Sequence, residues 1–235
     1  MTTDIPVSAL VLFDCDGTLV DSQHAIVEAM CAAYETCGVV PPTREEILSV
    51  VGLSLPETFA VLSNGVADFP VGALEAAYRM TYRAQREAAP PEPLYPGARE
   101  TLEALLARAD LQLGMVTGKA RRGVRRVLTG HAMEGWFSTI QTADDAPSKP
   151  HPGMVLQAMA EAGAVPACTV VVGDTTYDMQ MAKAAGAFAI GVCWGYHDRA
   201  ALTEAGADLM VERFEDLPPA IETLFGRLPA PSPAA

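Results

Sequence analysis

The stretch VLFDCDGTLVDS, Val11 to Ser22, sets two acids one residue apart at the end of an apolar run and turns at once on Asp16-Gly17-Thr18. From Ala9 to Phe13 the run has the form of a fully buried strand, about four to eight residues long and closed by a turn signal. Asp14 and Asp16 then stand at the strand's carboxyl end. Two anions that close repel each other, and the repulsion must be offset by a cation or by protonation of one acid. A plainer reading takes Asp-Gly as an ordinary turn and the acid as a cap for the next helix. The rest of the chain decides between them.

Further apolar runs follow, each leading into a helical pattern: Leu111 to Val116, Cys168 to Gly173, Ala187 to Trp194, and a short ADLMV before a last helix from about Phe214. Strands alternating with helices of this length predict βαβ units and a parallel sheet covered on both faces. The segment from Asp21 to about Pro93 breaks the pattern. Ser22 can cap a helix through Thr36, ended by Gly38. Thr43 with Glu46, and Ser54 with Glu57, fit capping boxes, and a longer helix covers Gly72 to Ala88. PPEPLYPG, Pro90 to Gly97, reads as a linker back to the sheet. The expectation is an α/β protein with a doubly wound parallel sheet and a Rossmann-like core formed by residues 1–20 and 94–227. A small α-helical cap, 21–93, is inserted after the first strand, and the Pro/Ala-rich end, 228–235, reads as a flexible tail.

Bulk properties narrow the partners. The 235 residues carry a net charge of −13 and only three lysines, Lys119, Lys149 and Lys183. That balance argues against nucleic acid or an anionic membrane, both of which call for basic surface. Cys15, Cys31, Cys37, Cys168 and Cys193 show no zinc spacing and read as reduced, mostly buried thiols of a cytoplasmic protein. No signal peptide is expected, and no apolar run approaches the roughly 20 residues that span a bilayer.

In an open parallel sheet, ligands bind beyond the carboxyl ends of the strands. Those positions hold Asp14 and Asp16 after the first run, Thr117, Gly118 and Lys119 after the second, and Asp174 after VVVG, with Asp178 one helical turn on. Lys149 lies between them in a proline-rich loop. Carboxylates supply oxygen ligands for a hard cation, and magnesium takes one or two of them together with phosphate and water. A hydroxyl and free amides at a helix start suit a phosphate oxygen, and a lysine adds a point charge. Singly, Thr117 reads equally as a helix N-cap, Lys149 as an exposed lysine, and Asp174 with Asp178 as a cap and a solvated acid. Their joint order after successive strands favours the site.

DCDGTLVD, VTGK, SKPHP and GDTTYD together resemble the four motifs of the haloacid dehalogenase superfamily, in order and across the whole core. YPGARETL and GVCWGY resemble its phosphoglycolate phosphatase-like branch. The resemblance implies Asp14 as nucleophile and Asp16 as general acid/base, with Thr117 and Lys149 binding phosphate and Gly17, Thr18, Gly118 and Lys119 around the substrate. It also implies magnesium held by Asp14, the Asp16 carbonyl and Asp174, with Asp178 supporting its shell. Dehalogenases lack the second acid of the first motif, so Asp16 disfavours that reaction. No lysine lies between Met1 and Val116, which removes the Schiff-base chemistry of the phosphonatases.

The implied activity is hydrolysis of a small phosphorylated metabolite by a monomer or homodimer. 2-Phosphoglycolate comes first, on the expectation of a small, closed site. Pyrophosphate, sugar phosphates and a nucleotide monophosphate stay open as substrates, and phosphomutase is the alternative reaction, His24 being a candidate helper for it. A phospho-receiver domain would be much shorter, and a non-catalytic binding protein would not need the full residue set. VVGLSLPETF, Val50 to Phe59, resembles the specificity loop of such caps. There Gly52, Leu53 and Ser54 are expected against the substrate, with Arg44 available to a substrate carboxylate.

Overall fold

Strand β1 (Ala9–Phe13) works because both of its faces are apolar. Val11 and Phe13 join one hydrophobic cluster and Leu10 and Leu12 another, on opposite sides of the sheet. The computed structural model describes residues 9–226. After β1 come four helices, α1 (Gln23–Thr36), α2 (Arg44–Ser49), α3 (Leu55–Leu62) and α4 (Val71–Ala88). The alternating part then follows: α5 (Ala98–Leu106), β2 (Leu111–Thr117), α6 (Arg121–Gly130), β3 (Thr139–Thr142) and α7 (Gly153–Ala162). It closes with β4 (Thr169–Gly173), α8 (Thr176–Ala184), β5 (Phe188–Val192), α9 (Arg199–Glu204), β6 (Leu209–Val211) and α10 (Leu217–Phe225).

All pairings are parallel, in the order β3-β2-β1-β4-β5-β6. Helices α5, α6 and α10 cover one face through Leu102, Val127 and Ile221, while α7 and α8 cover the other through Met154, Val155 and Met179. The expected doubly wound sheet is present. Strand β3 was not anticipated: TIQT is short and polar, and it is an edge strand bonded only to β2, so no two-faced apolar run marks it. The half-buried state of Cys31, Cys37, Cys168 and Cys193 also departs from expectation, since only Cys15 is fully buried.

Helices α1 to α4 share a hydrophobic cluster of their own, built on Ile26, Met30, Tyr34, Ile47, Phe59, Leu74 and Tyr78. The chain leaves and re-enters the sheet layer at one place. Val20 bridges Leu94, the Asp21 amide donates to Pro93 O at 2.8 Å, and the Tyr95 amide donates to Leu19 O at 3.0 Å. We propose on these grounds that 21–93 is a separate cap on a core whose described part is 9–20 and 94–226; residues 1–8 and 227 of the expected core, and the expected tail 228–235, lie outside the described residues.

Of the three capping expectations, one is met in the expected form. Thr43 and Glu46 make the reciprocal capping box at the start of α2. Ser22 precedes α1 but caps nothing, its hydroxyl lying 3.1 Å from the Tyr196 hydroxyl. Ser54 makes no side-chain cap either; its amide instead donates to Ser148 Oγ at 2.8 Å, tying cap to core.

Candidate active site

The carboxyl ends of β1, β2 and β4 meet at one place because the three strands are neighbours. The Asp14 amide donates to Val172 O at 3.0 Å, which fixes Asp14 beside the end of β4. The chain then coils back: the Leu19 and Val20 amides donate to Cys15 O, and Gly17 N donates to Val20 O at 3.0 Å. Gly17 has φ +85°, and a Cβ there would stand 2.2 Å from Asp174 Oδ2. Only glycine lets the turn approach that carboxylate.

Asp174 is held by the Thr18 hydroxyl, donating to Oδ1 at 2.7 Å, and by the Tyr196 amide, donating to Oδ2 at 3.0 Å. Asp178 accepts from the Thr175 amide and hydroxyl on Oδ2, at 3.1 and 2.6 Å, and from Lys149 Nζ on Oδ1 at 2.6 Å. Lys149 Nζ also lies 2.9 Å from Asp14 Oδ1. The supposed exposed lysine is therefore fully buried between two acids, and Asp178 is a buried ligand of that lysine rather than a solvated acid.

Oxygens of Asp14, Asp174 and Asp178 lie within 4.8 Å of one another, all three residues buried. Burial pushes the Asp14 carboxyl up from 3.8 to about 6, despite the opposing pull of Lys149. Burial, and then the charges of Asp14 and Asp178, raise Asp174 well above the usual carboxylate range. Burial alone would lower Lys149, but its two acids outweigh that and keep it a cation. Three carboxylates against one lysine leave a surplus of buried negative charge, and Asp14 Oδ2 has no hydrogen-bond partner among the described residues. An all-oxygen, over-charged, partly unpartnered site fits a hard divalent cation. The Asp16 side chain is not in this cluster, so only its carbonyl is left for the metal role expected of that residue.

Asp16 faces the other way. Lys119 Nζ donates to its Oδ1 and Oδ2 at 2.7 and 3.0 Å and to the Tyr82 hydroxyl at 3.1 Å. Tyr82 in turn donates to Glu92 Oε1 at 2.7 Å. Burial works against the charge on Lys119, but Asp16 and its other neighbours raise it well above the usual lysine value. Lys119, expected against the substrate, is thus tied to the second acid of the first motif. Thr117 ends β2, three residues before Ala120, the residue that precedes α6, so it is not that helix's N-cap.

A cavity of about 790 Å³ lies between sheet and cap, lined by Asp14, Asp16, Thr117, Gly118 and Lys119 from below and by Gly52, Leu53 and Leu55 from above. A Cβ on Gly118 would meet Gly52 O at 2.3 Å, so the cap loop rests on the core at that glycine. Ser54 is not in this lining; it borders a smaller adjoining hollow with Ser148. Gly17 and Thr18 are also absent from it and serve Asp174 instead. Arg44 is exposed and bonded to the Gln23 side chain, and His24 is exposed, so neither reaches the cavity.

The sequence did not single out Tyr82 or Glu92, and it assigned no role to Ser148 or Tyr196, which lie within SKPHP and GVCWGY. For Tyr196 a signal existed, because it lies just beyond the carboxyl end of β5.

These features have counterparts. A family model described as "Haloacid dehalogenase-like hydrolase" matches residues 11–192. "Probable phosphatase IndB" of Dickeya dadantii is 37% identical over 218 residues, 92% of this chain and 94% of that one. "Pyrophosphatase PpaX" of Bacillus pumilus is 33% identical over 88% of this chain and 93% of its own. "Phosphoglycolate phosphatase" of Agrobacterium fabrum is 30% identical over 99% of both. Among solved structures, a hydrolase from Pseudomonas syringae superposes with TM-score 0.80 at 27% identity, over 93% of this chain and 99% of that one. The four motifs, the buried acids at the strand ends and these likenesses agree, and the chain belongs to the haloacid dehalogenase-like hydrolase family as one of its phosphatases.

Proposed function

We propose that the protein hydrolyses small phosphate monoesters in two displacements through a phosphorylated Asp14, with magnesium as its metal. The observation that carries this reading is Asp14, a residue of the cavity lining beside Lys149, whose Oδ2 is a buried carboxylate oxygen with no hydrogen-bond partner among the described residues. In the first displacement Oδ2 attacks phosphorus, the P–O bond to the leaving alcohol breaks, and Asp16 gives that oxygen its proton. In the second, water attacks the acyl phosphate, Asp16 takes a proton from it, and phosphate leaves.

Lys149 opposes the charge on the transferring phosphoryl group, and Thr117 with the Gly118 amide receives its oxygens. Asp14, the Asp16 carbonyl and Asp174 would hold magnesium, with Asp178 behind them. When bound, magnesium would supply positive charge to the phosphoryl oxygens.

Two small substrates come from kinship, 2-phosphoglycolate from the Agrobacterium relative and pyrophosphate from the Bacillus one. The expectation of a small, closed site no longer separates them, since the cavity measures about 790 Å³. Phosphomutase is the weaker reading, because His24 stands outside the cavity.

The test is steady-state hydrolysis of phenyl phosphate with magnesium and after exhaustive chelation. Wild type should turn over only with metal, Asp14→Asn should be inactive while folded, and Asp16→Asn should be slower by about 10²–10⁴-fold. Wild-type rates in Asp14→Asn would refute the reading.

A further inference from the structure

Resting on the phosphatase reading above, we propose that the preferred substrate is a phosphate monoester with a ring-sized apolar body and a second oxyanion, the latter received by Arg126 and Arg86. Three observations converge on this.

The first is size. 2-Phosphoglycolate has nine non-hydrogen atoms; even at the ~30 Å³ that a water molecule occupies, it fills only ~270 Å³, about a third of the 790 Å³ present. Cap closure has little left to remove, because the cap loop already rests on Gly118 and Ser54 is already bonded to Ser148.

The second is the wall. The cavity's apolar lining includes Val51, Leu53 and Leu55, together with Tyr78 and Tyr82, whose rings stack at 5.6 Å and 16°. Such a surface favours a flat apolar group over a fully hydrated anion.

The third is an imbalance among the arginines. In a chain of net charge −13, Arg79, Arg83 and Arg86 of α4 and Arg122 and Arg126 of α6 all line this one cavity. Arg79 is paired with Glu75 at 2.6 Å, Arg83 with Glu87 at 2.8 Å, and Arg122 with Glu87 at 3.1 Å. Arg86 has a long ion pair with the buried Glu92, 3.7 Å from Nη1 to Oε1 and beyond hydrogen-bond range, so it is the more weakly held partner in the receptor. Arg126 pairs with no carboxylate among the described residues. The two guanidinium groups sit on consecutive carbonyls, Arg126 Nη2 donating to Ala89 O at 2.9 Å and Arg86 Nη1 to Pro90 O at 3.5 Å. In both residues Nε is buried without a partner. Beyond the buried Nε, one terminal nitrogen of each, Arg126 Nη1 and Arg86 Nη2, makes no hydrogen bond among the described residues and is not buried. Such terminal donors, on side chains that line the cavity, suit a carboxylate or phosphate.

The experiment compares kcat/KM for 4-carboxyphenyl phosphate, 1,4-phenylene bisphosphate, phenyl phosphate, 2-phosphoglycolate and pyrophosphate, in wild type, Arg126→Ala and Arg126→Lys. Wild type should prefer the two ring compounds that carry a second anion; which of them leads tells carboxylate from phosphate. In Arg126→Ala the ratio of kcat/KM for the better of them over phenyl phosphate should fall about 10- to 100-fold, mostly through KM. Arg126→Lys, which keeps the charge but loses the planar guanidinium, should fall between. Preference of wild type for 2-phosphoglycolate or pyrophosphate, or an unchanged ratio in both variants, overturns the proposal. If Arg126→Ala does not fold, Arg126→Lys and the wild-type order decide alone. Loss of the parent reading looks different: phenyl phosphate is then not hydrolysed at all, or is hydrolysed equally by Asp14→Asn.

Discussion

At Lys149 a single ammonium stands between Asp14 and Asp178 with no water-exposed face. Removing one partner of a buried ion pair is worse than never having had it, since the remaining charge stays buried and unopposed. Lys149→Met should therefore lower the stability of the metal-free protein by about 3–5 kcal/mol, read as a drop in urea midpoint, and should abolish turnover. A midpoint equal to wild type would mean that the acids are already neutral in the fold. Asp14, Thr117 and Asp174 were legible because each ends or directly follows a strand, and strand ends are fixed by the backbone alone. Lys149, in the loop before α7, and Asp178, within α8, were legible only through their order along the chain and the motifs they sit in. Arg126 and the Lys119–Asp16 pair were not legible in the same way. Lys119 and Asp16 meet because β1 and β2 are neighbours, but which side chains face each other there is set by rotamers, while Tyr82, Glu92 and Ala89 reach Lys119 and Arg126 from α4 and the segment after it.

The loop before α3 and the turn after β2 meet backbone to backbone. Gly118 is tolerated there because it has no side chain, and a methyl group would overlap Gly52 O and Leu53 O, at 2.3 and 2.7 Å. Backbone atoms cannot swing aside as the end of a flexible side chain can. Gly118→Ala should therefore lift the Gly52–Leu53 loop, raising KM for every phosphate ester with only a modest fall in melting temperature. A KM unchanged from wild type would show that the loop does not border the substrate. Elements with strong local codes were readable in this way: β1, β2, β4 and β5 from two-faced apolar runs, and α2 from its capping box. The failures share a cause. β3 lies at the sheet edge and needs little apolar content, the Ser22 hydroxyl lies against Tyr196 on the core, and Ser54 is tied to the core through its backbone amide on Ser148 while its hydroxyl makes no cap.

For the molecule as a whole, the buried acids make stability depend on pH in an unusual direction. Asp14 rises from 3.8 to about 6 on folding, and Asp174 moves the same way. The native state then holds protons more tightly than the unfolded chain. The stability this supplies is fully present below about 3.8 and is lost as pH rises through about 6. Glu92 and Asp145 are shifted downward and act oppositely, lowering stability toward strong acid. In EDTA the urea midpoint should therefore be higher at pH 5 than at pH 8, and Asp14→Asn should shrink the difference; equal midpoints in wild type would contradict the buried charge. The placement of the helical layer has a separate consequence, for synthesis rather than for the finished fold. The chain is made from its amino end, so β1 emerges first. Its sheet neighbours β2 and β4 begin at Leu111 and Thr169. At about 5–20 residues per second, the strand that carries the nucleophile waits roughly 5–20 s for its first partner. In that interval all the residues of the α1 to α4 cluster are made, so the helices above the cavity have their packing partners before the strand that carries Asp14 has its own.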